Sequence, residues 1–422
     1  AVLGMLAISS ANIVDGFFVG NYVGDFGLAA INISLPIFSL LFGFALMLAI
    51  GGSVIAGKLI GEEDIKNASM IFTKTIICIT FFSFIASTLL FLNIETVLYL
   101  FGADENLTKI AIEYLSVILI FIPFLMIGVV LDYFVRVDNR PNLAFIALLS
   151  SALINVILDW FMIVYLQKGI FGAALATGIS QLALIFILLP HFFSKKATLK
   201  FVKPIGSYIQ ILKASYNGAS EFVNEISVGI TTLIFNYVMI KNLGVEGIAA
   251  FSVINYLLLI GIMISFGISD SLQPIISKNF GAKENKRIKE FLKLAFITTG
   301  FVGIVMILLI IFTPNTLANL FLEDNNYKTK EIVLSFATFI WIAFLFNGVN
   351  LVISAYLTAI HKPLASMIIA ISRSFILPLF FIFTLPFFFD LEGIFMAIPM
   401  AEFVTFIIAV ILYRRFSPNK II

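Results

Sequence analysis

GKLIGEEDIK, residues 57–66, returns in altered form as SKNFGAKENK, residues 277–286, an offset of 220 positions. Both are short polar interruptions between long apolar runs. GLAA at 27–30 matches GIAA at 247–250, and LFGAD at 100–104 matches LFLED at 320–324, again 220 apart. RPNLA at 140–144 and KPLAS at 362–366 follow with a slip of two. Landmarks that recur in register mark a duplication, so the second half of the chain is expected to rebuild the first.

Composition says where such a chain can live. Of its 422 residues, 61% are hydrophobic and only 12% are charged, and mean hydropathy is +1.11. A soluble domain carries roughly a quarter charged residues; this chain cannot cover itself with polar surface and must be solvated by lipid. A spanning helix needs about 20 mostly apolar residues. Twelve such runs lie near 1–22, 29–57, 70–92, 108–135, 142–165, 170–193, 214–240, 247–277, 291–312, 331–358, 364–386 and 392–413. The alternating ten-residue segments of a membrane β-barrel are absent. The expected fold is therefore an all-α polytopic membrane protein with twelve helices in two six-helix lobes, 1–200 and 201–422. Six is even, so both lobes run the same way through the membrane, as parallel repeats do.

The basic residues set the orientation. With the N-terminus inside, twenty of the 26 Lys and Arg fall on the cytoplasmic side, five outside and Arg373 within a helix. By the positive-inside rule, both termini are cytoplasmic. A net charge of +2 gives no reason to expect nucleic acid as a partner; the bilayer is the expected one, with the chain acting as a monomer. The lone cysteine, Cys78, excludes an internal disulfide and a Cys-based metal site. There is no Walker loop, GxGxxG, catalytic triad or HExxH, and no room for a nucleotide-binding domain. Neither an enzyme nor an ATP-driven pump is expected, and no cofactor. The first residues lie inside an apolar run with no basic n-region or cleavage pattern, so the sequence is expected to lack its true N-terminus. Abundant Lys, Ile, Asn and Phe with scarce Arg fit an AT-rich bacterial genome and hence a bacterial inner (plasma) membrane.

Charges inside the apolar runs are the candidates for chemistry, because each costs about 2.5–3.5 kcal/mol at a helix centre on insertion scales. In NIVDGFFVG, residues 12–20, Asp15 lies about six residues, or ~9 Å, below the outer end of the first helix at ~1.5 Å per residue. Asp159, in the fifth helix, sits six residues before Tyr165 and so at the same depth. Asn155 is one turn deeper on the same face, and Thr177 descends to a similar level in the sixth helix. Two carboxylates with amide and hydroxyl oxygens suit a hard monovalent cation such as Na⁺. Two carboxylates held close can equally share one proton. Bridging between helices, with no ion involved, is the structural alternative. Gly16 and Gly20 form a GxxxG pair that predicts close packing of the first helix.

Twelve helices in two lobes, with Asp15, NVILD (155–159) and Thr177 in this order, resemble the multidrug and toxic compound extrusion (MATE) family, and within it the DinF-like branch. The resemblance covers the whole chain. It implies that these four positions bind Na⁺ or a proton and that protonation of Asp15 accompanies bending of the first helix. The chain departs from the family in two places. The NorM-like branch carries an acid in the tenth helix where this chain has only Asn347 and Asn350, and no proline interrupts the first helix between Ala1 and Asn21.

The second half has its own charges: Glu221 and Glu225 in the seventh helix, Asp270 in the eighth, Arg373 in the eleventh and Glu402 in the twelfth. They read as a second proton or substrate site, or as an ion-pair network that locks the lobe. Arg373 must have a carboxylate partner, and Glu221 or Glu225 is the expected one. Asp132 is expected to pair with Arg136 one turn on, and His191 and His361 to lie at the membrane interface. Embedded acids outnumber embedded bases, so the interior favours cationic cargo. The expected function is antiport of amphipathic organic cations against H⁺ or Na⁺ by alternating access. The alternatives are a lipid-linked precursor flippase, which would call for a basic cavity, an exporter of an endogenous metabolite, and a membrane receptor or scaffold.

Overall fold

The computed structural model describes residues 2–319 and 327–421. It is helical almost throughout, with no strand among the described residues. The spanning helices are α1 (Val2–Tyr22), α2 (Asp25–Gly61), α3 (Ile65–Leu92), α4 (Glu105–Val137), α5 (Pro141–Tyr165) and α6 (Gly169–Phe193). The second half supplies α7 (Ile209–Gly244), α8 (Glu246–Gly281) and α9 (Asn285–Phe312). Then come α10, a pair Tyr327–Ile340 and Ala343–Ala359 bent by 57°, and α11 (Pro363–Thr384). The last is α12 (Pro386–Arg415). Among the described residues this gives eleven helices long and apolar enough to cross a membrane, or twelve with the bent pair as one span.

The backbone carries the duplication more plainly than the side chains do. Left-handed residues recur at matching turns: Gly24 (φ 92°) and Gly244 (φ 68°), then Glu63 (φ 64°) and Lys283 (φ 58°), each 220 apart. Asn139 (φ 61°) and His361 (φ 58°) follow at 222, and Gln167 (φ 52°) and Asp390 (φ 47°) at 223. A positive φ in a non-glycine residue is uncommon, so its return at the same turn marks one template used twice. The LFLED landmark lies outside the described residues.

Contacts divide the chain into two compact units, Leu3–Gly218 and Ala219–Ile422. In the first, α2, α4 and α6 pack closely, with α3 against α2 and α4 and α5 against α6. Its core is a continuous apolar cluster that includes Leu41, Ile50, Phe72, Leu119, Met126 and Phe134. In the second, α11 packs on α12, and α10 on both α9 and α12. Large apolar side chains such as Phe81, Leu92, Phe186 and Phe312 remain more than two-thirds exposed. On a soluble protein they would form an aggregation-prone surface; here they face hydrocarbon.

The polar segment after α6 is strapped to the first unit. The Asp138 carboxylate, at the inner end of α4, accepts from the Thr198 and Leu199 amides (3.0–3.1 Å) and lies 2.6 Å from His191 Nε2. Lys74, wholly buried, donates from Nζ to the Ser207 carbonyl at 2.8 Å. Ser69 Oγ and Thr73 Oγ1 accept from the Lys200 and Val202 amides, and Phe192, Phe193 and Phe201 close over Phe72. His191 is therefore a buried strut of this strap, not an interfacial residue. Depth along the helix placed it near the membrane surface, but the loop folds back over it. The Asp132–Arg136 pair forms as expected, at 2.5 Å and buried on both sides.

One close approach fixes how the start of α7 meets α2. A Cβ added at Gly51 would lie 1.8 Å from the Ala214 carbonyl oxygen, and one at Gly218 would lie 2.0 Å from that of Met47. By contrast, a Cβ at Gly16 would meet nothing within 4 Å, so the expected close packing of α1 through Gly16 is not how that helix is held. At Gly20, the other member of the pair, an added Cβ would lie 3.2 Å from Leu28 Cδ1, so the GxxxG pair packs closely at that end alone. Gly51→Ala and Gly218→Ala should each destabilise the protein by about 1–3 kcal/mol or more, because backbone atoms cannot yield, while Gly16→Ala should be neutral. Thermal unfolding of the three variants in detergent checks this, and an unchanged midpoint for Gly51→Ala would contradict the approach.

Candidate ion site and the charged cleft of the second unit

Four helices of the first unit converge on a small apolar cluster formed by Val19 of α1, Ile163 of α5 and Ile170 and Ala173 of α6, with Ile110 and Tyr114 of α4 packed against it. One helical turn deeper than Val19 is Asp15. One turn deeper than Ile163 is Asp159, and one turn deeper than Ala173 is Thr177. Tyr114 itself lies one turn below Ile110. The cluster thus caps a polar layer to which each of four helices contributes one side chain. Depth alone matched Asp15, Asp159 and Thr177 in the sequence, and the shared cap brings their helices together.

Asp159 is completely buried and Asn155, one turn further in, nearly so; Asp15 and Thr177 are partly buried. The two carboxylates interact electrostatically with each other and with the Tyr114 phenol. Both Asp159 carboxylate oxygens and Asp15 Oδ1 are inaccessible and have no hydrogen-bond partner. An ionised carboxylate in that state costs far more than a paired one. A proton or a cation relieves such a pair, and hard oxygen donors fit a hard ion. Tyr114 was not among the residues singled out from the sequence. Its signal is its place nine residues from the outer start of α4, level with the others, but an uncharged aromatic in an apolar run draws no notice.

Local structure supports this placement. Beyond Asp159 the fifth helix widens into a π-helical turn, Trp160–Tyr165, a distortion frequent at functional sites. Trp160 and Tyr165 stack and stay exposed, as aromatic residues do at a membrane surface. Deeper in the unit, Ser151 Oγ donates to the Ser180 carbonyl at 2.8 Å and clasps α5 to α6.

In the second unit, Arg373 Nε donates to Glu402 Oε1 at 2.9 Å. Glu402 also accepts from Asn347 Nδ2 at 2.8 Å and from Asn350 Nδ2 at 2.7 Å. The expected pairing of Arg373 with Glu221 or Glu225 is thus corrected: its direct partner is Glu402. α11 and α12 form a hairpin and pack directly, and adjacency in the hairpin outweighed the larger number of carboxylates on α7. Glu221 keeps a longer-range electrostatic interaction with Arg373 and accepts a side-chain hydrogen bond from Gln273. Glu221, Asp270, Gln273, Asn350 and Arg373 line one cleft. Glu225 is partly buried, within electrostatic range of Glu221 and outside the lining of the cleft. Arg373 itself sits in a second π-helical turn, Ser372–Ile376.

A duplicated, lipid-solvated helical scaffold with ionisable groups buried at depth is the architecture of a membrane transporter. The chain belongs to the MatE family, whose match covers residues 1–161 and 222–384. It is 27% identical to the multidrug export protein MepA of Staphylococcus haemolyticus, over 99% of this chain and 93% of that one. MepA of a Staphylococcus aureus strain is 24% identical, over 95% and 88%. Among solved structures, a MOP superfamily transporter from Pyrococcus furiosus superposes with a TM-score of 0.92 at 21% identity, covering 100% of this chain and 94% of that one. A Vibrio cholerae MATE transporter does so with a TM-score of 0.92 at 20% identity, over 99% and 95%. The chain is thus a multi-span MATE transporter of the bacterial plasma membrane.

The Arg373–Glu402 pair should behave as a buried pair does. Arg373→Met should cost about 3–5 kcal/mol by stranding a carboxylate, and Arg373→Met/Glu402→Leu should recover most of that loss. Unfolding midpoints of the two single variants and the double variant, in detergent, give the coupling; strict additivity would show that the pair does not interact.

Proposed function

We propose that this chain exports amphipathic organic cations by antiport, in exchange for H⁺ or Na⁺ held by Asp15, Asn155, Asp159 and Thr177. The observation that carries the reading is the Asp15–Asp159 pair: two carboxylates in one buried layer, with three oxygens that have no hydrogen-bond partner. Such a pair is stable only when loaded, so loading is coupled to conformation. A ligand shifts an equilibrium only by its differential affinity for the two states. The ion supplies that difference here, by neutralising a repulsion that the empty site has to relieve by moving its helices apart. α1 is the helix best able to move, since Gly16 faces open space and little of α1 is buried.

The cargo assignment rests on charge and on relatives. Acids dominate the buried charges, and an aromatic-rich interior can hold an organic cation by area and by cation–π contact. The staphylococcal relatives bear the name of multidrug exporters. Cargo and ion then compete: the ion enters from outside, cargo leaves outward, and the two halves alternate between the faces of the membrane.

Asp15→Asn and Asp159→Asn should each reduce efflux of a fluorescent cation to the background of empty vesicles, with folded protein still present in the membrane. Imposing a pH gradient and a Na⁺ gradient separately on proteoliposomes identifies the coupling ion as the one that drives efflux. Undiminished efflux by either variant would remove the site from the mechanism.

A further inference from the structure

The second unit contains a polar cleft of a kind that should attract a cation. Glu221, Asp270 and Gln273 line it, all nearly or fully buried. Gln273 Oε1 and Ser269 Oγ, both in its lining, are inaccessible and have no hydrogen-bond partner. The space is enough for a water molecule or a small ion and too small for an organic cargo. Oxygen donors, buried carboxylates and a water-sized space are what a monovalent cation asks for. Yet the cleft already holds a positive charge, because the Arg373 guanidinium lines it and interacts electrostatically with Glu221.

The duplication shows how that charge got there. Arg373 lies 222 positions after Ser151, the slip that relates RPNLA to KPLAS. In the first unit Ser151 Oγ donates to the Ser180 backbone carbonyl of the sixth helix; in the second, Arg373 donates to the Glu402 carboxylate of the twelfth. The last two helices of each half are thus joined by a neutral bond in one half and by an ionic bond in the other. The half with the neutral clasp has an acidic pair with uncommitted oxygens. The half with the ionic clasp has its cation built in.

We infer that Arg373 is a tethered cation, which fills in the second half the role that a mobile ion fills in the first and so keeps this cleft from binding an inorganic cation. Glu402 fixes the Nε side of the guanidinium, and Asn347 and Asn350 fix Glu402 in turn. A guanidinium cannot give up its charge in a protein, so the cleft is neutralised throughout the cycle and never has to load. One ion site per chain follows, in the first half. The comparison between halves rests on the function proposed above for Asp15 and Asp159; the predicted gain of a site does not.

Equilibrium binding of radioactive Na⁺ to the purified full-length chain in detergent, at mildly alkaline pH, tests the inference. Arg373→Gln/Glu402→Gln removes both charges together, which a buried pair tolerates better than losing one. It should bind about one Na⁺ per chain more than the native protein, as the exposed acidic cleft now requires a counter-charge. Arg373→Lys, which keeps the charge, should bind no more than the native protein, and adding Glu221→Gln to the double variant should abolish the gain. If the double variant unfolds, Arg373→Gln alone is read in the same way. A folded variant that gains no Na⁺, or a gain indifferent to Glu221→Gln, would overturn the inference. Asp15→Asn reports on the first-half site separately, since the gain is counted against the native protein whichever ion occupies that site.

Discussion

A charge carried into hydrocarbon must meet a counter-charge, a set of donors or a proton, and this fold is organised around where that demand is met at once and where it is deferred. Asp132 and Asp138 meet it locally: the first on Arg136 one turn along its own helix, the second on His191 and two backbone amides of the strap after α6. Glu402 meets it with three side-chain donors from α10 and α11. Asp15 and Asp159 do not meet it within the protein. An apolar cluster of Val19, Ile163, Ile170 and Ala173 lies above them and the Ser151–Ser180 clasp lies below. Where Asp132, Asp138 and Glu402 each hold a partner, this pair is left to the ion of the function proposed above.

Much of this could be read before the structure. Spans, helical class and the two-fold repeat follow from hydropathy and from polar landmarks, because lipid permits few solutions and a duplication preserves its turns. The depth match of Asp15, Asp159 and Thr177 also came from counting along helices, since a helix converts sequence position into height with little error. Counting gives height and says nothing of azimuth or of which helices touch. The partner of Arg373 was therefore misjudged: several carboxylates shared its layer, and only helix adjacency selects Glu402. His191 was misplaced for a related reason, as the loop that buries it has no periodicity to read. Tyr114 was overlooked because a phenol in an apolar run looks like packing until carboxylates are found beside it.

Duplication sets the terms on which the two halves can differ. Gly24 and Gly244, Glu63 and Lys283, and Asn139 and His361 hold the same left-handed conformations at equivalent turns, so the scaffold has been kept even where side chains have not. On such a scaffold one substitution at an equivalent position changes the electrostatics of a half without changing its path. Ser151 and Arg373 are such a pair of positions. On the reading proposed above, the acids of the serine half await an external ion, and the arginine half has its charge supplied permanently and rigidly.

That division has a mechanical consequence. A site that binds and releases an ion has two electrostatic states, and the helices around it feel a different force in each. A site neutralised by a tethered guanidinium has one state, and its helices have no ion-dependent reason to move. The π-helical turns sharpen the contrast. In α5 the turn follows directly after Asp159, so a change in charge there acts on a helix already underconstrained by its hydrogen bonding. In α11 the turn contains Arg373, whose bond to Glu402 ties the distortion to α12. The two irregularities lie at different places in their helices, and only that of α11 is tied to a neighbouring helix through its own charged side chain. In the antiport proposed above, the first half would carry the ion-dependent signal and the second, with its charge built in, would not.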